Sequence, residues 1–161
     1  MSSTVSLYIT DESIFPTTLS GNDKEKQEWL INKVTSDTSR WESLELNTIG
    51  YMNALEAIGE LAGSKKFFAV LSYNNSPHNC MGNNAEAEGS FGYFTPQMVK
   101  DGLDALQAIT PEIDNASTRC QTAIETNSPL NQDTIEYVFY RYLSAFQEAA
   151  KRGYAISVIH E

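Results

Sequence analysis

Most of the side chains here that can do chemistry fall in one stretch: Tyr73, Asn74, Asn75, His78, Asn79, Cys80, Asn83, Asn84, Glu86 and Glu88. Two chemistries are open to such a set. Glu86 and Glu88 can serve as an acid–base pair, because proton transfer needs a positioned donor and acceptor. Cys80 beside His78 can form a nucleophilic dyad, since a thiol attacks only after a nearby base has taken its proton. A structural zinc site fits poorly. Zinc needs three or four ligands, and a set here would have to join His78 and Cys80 to the distant Cys120 and His160. The glycines Gly82, Gly89 and Gly92 match no phosphate-binding loop, and no Gly-Lys-Ser/Thr follows them. A Gly-x-Ser-x-Gly elbow, a His-Glu-x-x-His helix and a calcium loop are equally missing. The residues therefore assign no catalytic group, no metal and no cofactor.

The same stretch has a binding interpretation. From Asn74 to Phe94 the chain is rich in Asn, Gly and Ser and shows no period. Loops of about twenty residues are uncommon in compact domains and are often functional, although a surface excursion explains them too. His78, Asn83, Glu86 and Glu88 are its candidate partner-binding residues. Trp29, Trp41, Tyr51, Tyr137 and Tyr140 are candidates for an aromatic interaction surface. Tyr137, Tyr140 and Arg141 are the better ones, because the inward stripe of their helix passes beside them.

Charge narrows the partner. Twenty-one acids against 11 bases leave a formal charge of −10. Such a surface repels phosphate backbones and anionic lipid, which disfavours nucleic acid and membranes. It suits solubility, and it also suits a basic protein partner. The first ten residues lack the basic and sustained apolar regions of a signal peptide. No apolar run approaches the roughly 18 residues of a membrane span. Two cysteines make no disulfide framework. A cytoplasmic protein is expected.

The elements that must position these residues are marked by local signals. Val5, Leu7 and Ile9 alternate with Ser6, Tyr8 and Thr10, predicting a first strand. Asn22 or Asp23 caps a helix running to about Val34. Trp41, Leu44, Thr48, Tyr51, Met52, Leu55, Ile58 and Ala62 share a face, predicting a second helix from Trp41 to Gly63. Phe67 to Tyr73 has the length and composition of a buried strand, and Phe91, Tyr93 and Phe94 look like a hinge returning to the core. Thr95-Pro96 and Thr110-Pro111 each open a helix, since Thr caps and Pro needs no N–H at the first position. The second of these runs through Ile113, Cys120 and Ile124. Ile135, Val138, Phe139, Tyr142, Leu143, Phe146 and Ala150 lie at steps of three and four, a last helix that stops at Gly153 and turns into a strand. The expectation is a single α+β domain over residues 1–161, about five helices with a small sheet. The first and last strands can pair centrally, and the order is not set.

The segment Gly92-Tyr-Phe-Thr-Pro-Gln-Met-Val-Lys-Asp-Gly-Leu-Asp-Ala-Leu and the ending Tyr142-Leu-Ser-Ala-Phe-Gln-Glu-Ala-Ala-Lys-Arg-Gly-Tyr-Ala-Ile-Ser-Val-Ile resemble the YfbM-like family of small bacterial proteins. The resemblance covers about the last seventy residues and implies an α+β domain. It supplies no catalytic residue. Small size, acidity and the lack of a catalytic motif fit a non-enzymatic, immunity-type inhibitor that neutralises a basic toxin or effector. The alternative is a small hydrolase-like enzyme acting through the Tyr73–Glu88 loop.

Overall fold

Alternation builds the first strand, β1 (Ser2–Thr10), in a computed structural model that describes residues 2–71, 75–81, 90–120 and 130–161. Val5, Leu7 and Ile9 point to one face of the sheet, and Tyr8 to the other. A short 3-10 turn, Glu12–Ile14, follows. Helix α1 (Asp23–Asp37) starts at Asn22, whose side chain accepts from the Glu25 amide while Glu25 reaches back in a capping box.

The helix expected from Trp41 is two elements. Arg40–Asn47 is strand β2, and helix α2 (Thr48–Leu61) begins only at the Asn47 cap, whose side chain accepts from the Ile49 and Gly50 amides. Tertiary pairing overrides the apparent helical spacing here. Leu44 and Leu46 sit opposite Val5 and Ser3 of β1, and the register slips between Leu7 and Tyr8, leaving Trp41 as the extra residue of a bulge.

Phe67–Tyr73 is corrected too. Through Leu71, the last described residue of this run, it turns, with Phe67 N–H bonded to Ser64 C=O at 3.1 Å and Ala69 N–H to Lys66 C=O at 3.2 Å. Its burial is as expected, for Phe68 to Leu71 are all in the core. Phe91–Phe94 is strand β3, not a hinge. Gly92 lets Val70 lie flat on it: a Cβ there would stand 2.6 Å from a Val70 methyl.

Helix α3 (Pro96–Ile109) starts at the Thr95 cap as expected. As far as Arg119 the Thr110-Pro111 segment differs in form, being a 3-10 stretch, Thr110–Asn115, that runs into a single turn, α4 (Ala116–Arg119), and Ile124 lies outside the described residues. Helix α5 (Gln132–Arg152) ends at Gly153 in the left-handed conformation, φ 72°. Strand β4 (Ala155–His160) closes the fold.

Among the described residues four strands pair antiparallel in the order β2-β1-β4-β3, so β1 and β4 are central. Each face of the sheet carries a core. On one face α2, α3 and α5 pack over Val5, Leu7, Phe94, Ile156 and Val158. On the other, Leu30 and Val34 of α1 cover Tyr8, Tyr93, Ala155 and Ile159. The fold class is α+β.

Candidate functional site

The described residues split the sequence-based candidates into separate places. Tyr73, Asn74, Asn83, Asn84, Glu86 and Glu88 lie outside them. His78 is exposed in the turn Pro77–Asn79 and bonds through Nε2 to the Glu12 carbonyl at 3.1 Å. Cys80 is buried in the core under α1, and burial pushes its thiol up from the ordinary value. A buried, protonated thiol is a poor nucleophile, so the Cys80–His78 dyad loses its basis. The four-residue zinc set fails on topology. Cys120 is in the opposite core, across the sheet from Cys80, where burial and Glu60 push its thiol up to about 11. Among the described residues no group of three or more His, Cys, Asp or Glu side chains is placed to hold a metal.

Tyr51 leaves the candidate surface as well, since it is buried and hydrogen-bonded to Tyr142 in the core. Tyr137 and Arg141 remain, and they come together with residues that no local pattern marked. Helix α5 runs along the outer edge of β2. The Tyr137 hydroxyl accepts from the Glu45 amide at 3.2 Å, and the Trp41 indole N–H donates to Ser144 Oγ at 3.1 Å. The Arg141 guanidinium stacks 3.7 Å from the centre of the Tyr137 ring and donates to the Tyr137 carbonyl at 3.2 Å. That cation is thereby held against its own helix.

Between β2 and the first turns of α5 lies an open hollow of about 240 Å³, lined by Glu45, Leu46, Asp133, Thr134 and Tyr137. Leu46 and Tyr137 give it an apolar floor. Asp133, exposed, gives it a carboxylate, while Glu45 lines it from the edge of β2 with its side chain alternating to the other face of the sheet from Leu46. Thr134 sets its methyl over Gly50, 3.8 Å from where a Cβ would stand. The hollow therefore borders the start of α2, where Ile49 is 64% exposed, and Tyr140, 49% exposed, lies one turn along α5. An apolar floor with a carboxylate beside it suits a long basic side chain: the stem packs on Leu46 and Tyr137 while the charged head reaches Asp133.

Glu45 and Asp133 carry no recognisable motif. A single clue was present, an acid set between two leucines in Leu44-Glu45-Leu46, which reads as the outward position of a half-buried strand. No family model, curated protein or solved structure matches this chain.

Proposed function

We propose that this chain is a binding protein and not an enzyme, and that the hollow between β2 and α5 captures a Lys or Arg side chain of a basic protein partner. One observation carries this reading: the exposed Asp133 carboxylate stands beside an apolar floor of Leu46 and Tyr137, and Arg141, the cation one turn along α5 from Tyr137, is committed to that residue. Ile49 at the start of α2 and Tyr140 on α5 are exposed apolar side chains that can serve as anchors for the same partner. The net charge of −10 would steer a basic protein toward it from a distance.

The job that best combines these features is immunity-type inhibition, in which an acidic cytoplasmic protein blocks a basic toxin or effector made beside it. No helix among the described residues is long and apolar enough to cross a membrane. The Thr95-Pro96 helix start and the helix–Gly153–strand ending support kinship with YfbM-like proteins without assigning an activity. The hydrolase alternative draws no support from Cys80, whose thiol is buried and held protonated.

The test is isothermal titration of the protein with the product of its neighbouring gene. Glu45→Lys with Asp133→Lys is expected to weaken the complex by at least about tenfold, or about 1.4 kcal/mol. Unchanged affinity would remove the hollow from the interface. No complex with that product would overturn the immunity role.

A further inference from the structure

The geometry points to a second site, at the opposite edge of the sheet from β2: a cavity that binds a small zwitterion, an amino acid or short peptide, with its ammonium on Glu12 and its carboxylate on Lys100. The cavity holds about 600 Å³ between the Glu12–Ile14 turn, the Pro77–Asn79 turn and the start of α3. That volume falls in the range of small-ligand sites.

Its wall is built. Tyr93, fully buried, donates its hydroxyl hydrogen to Glu12 Oε2 at 2.7 Å, and the Tyr93 carbonyl accepts from Asn75 Nδ2 at 2.6 Å. Burial and the adjacent carboxylate push the Tyr93 phenol far up, so it stays a donor at every ordinary pH. The Glu12 side chain is thus tethered by one oxygen, which leaves the other to accept from a ligand. His78 is tied to the same residue. The Glu12 carbonyl can only accept, so His78 Nε2 carries the proton in their 3.1 Å bond.

The wall is also strained. His78 and Asn79 are consecutive non-glycine residues in the left-handed region, φ 53° and 55°. Asparagine takes that conformation readily and histidine less so. Backbone strain of this kind gathers at functional sites, where the surroundings enforce it. Here it sets two side chains on the cavity instead of letting the turn relax.

Charge selects the ligand class. Lys100 is exposed on α3 and forms no ion pair with a described residue, so the cavity presents one fixed carboxylate and one ammonium. A simple anion would meet Glu12, and a simple cation would meet Lys100. A molecule bearing both charges satisfies both walls. This site is independent of the β2–α5 hollow.

The experiment is an NMR titration of the whole protein with each common amino acid and with glycylglycine, using acetate and methylamine as single-charge controls. At least one zwitterion should bind saturably and shift the His78 ring signals. Either control should bind at least about tenfold more weakly. Glu12→Gln, which keeps an acceptor for Tyr93, and Lys100→Met should each weaken binding by about tenfold. Tyr93→Phe, which frees the Glu12 carboxylate without changing its charge, should weaken it severalfold. Binding by glycylglycine but by no free amino acid would identify the ligand as a peptide within the same class. No saturable binding up to about 10 mM, far above useful affinities, would overturn the proposal. So would acetate or methylamine binding as tightly as a zwitterion, or binding that Glu12→Gln and Lys100→Met leave intact in folded protein.

Discussion

The Tyr137 hydroxyl accepts the backbone amide of Glu45 at 3.2 Å, and this bond closes part of the outer edge of β2. Thr4 gives both its backbone groups to Glu161 on its other side. Its pairing with Glu45 is therefore of the non-hydrogen-bonded kind, and the Glu45 amide points away from β1. An edge that presents bare N–H groups invites another strand. Tyr137 covers this one, and its ring then forms the floor of the hollow. One residue of α5 both protects the edge and shapes the pocket beside it.

Tyr51 of α2 and Tyr142 of α5 share a hydrogen bond inside the core. Removing one hydroxyl strands the other, so Tyr51→Phe and Tyr142→Phe should each cost about 1–3 kcal/mol. The double mutant removes both and should recover most of that loss. Urea denaturation of the four proteins checks the cycle. Strictly additive losses would show that the pair does not act as a unit.

Phe139 and Phe146 of α5 are fully buried over the sheet, and Phe146 packs 4.9 Å from Phe94 between ring centres. Truncating either to Ala should cost about 3–5 kcal/mol, read as a shift of the denaturation midpoint. Unchanged midpoints in both would contradict the placement of this helical face.

Stability should fall in alkali. The Cys120 thiol is held near 11 when folded against 9.0 ordinarily, and Cys80, Tyr51, Tyr142 and Tyr93 are raised as well, all first by burial. Above about pH 9 the unfolded chain releases protons that the folded chain keeps. The stabilising contribution is therefore complete below that pH and is lost as pH climbs toward 11 and beyond. Urea midpoints measured from pH 7 to 10.5 should stay level and then decline. A rise across that range would contradict the burial of these groups. Thiol labelling at pH 8 should likewise be slow, limited by opening of the fold.

The elements legible in the sequence were those with local signals. The alternation in β1, the Asn22 cap, Thr95-Pro96 and the Gly153 stop each act within a few residues, and each marks a real boundary. Strand β2 was hidden because Trp41, Leu44 and Tyr51 happen to fall at helical steps, and only pairing with β1 decides against a helix. Strand β3 was hidden by its brevity and its glycine. Phe67–Leu71 was read rightly as buried and wrongly as extended, since composition reports burial better than conformation. The candidate site was half legible. Tyr137 and Arg141 were visible on α5, but Leu46 and Asp133 are 87 positions apart in the chain and line one hollow only through the packing of α5 on β2.

The most direct measurement of the central claim is stopped-flow association of this protein with the neighbouring gene's product, as a function of salt. Glu45→Lys with Asp133→Lys, at two exposed positions that contribute little to stability, should slow association at low salt and flatten its salt dependence. A wild-type rate that falls as salt rises, and a double mutant that loses that dependence, is the expected result. Equal rates for both proteins at every salt concentration would contradict capture of a basic side chain between β2 and α5.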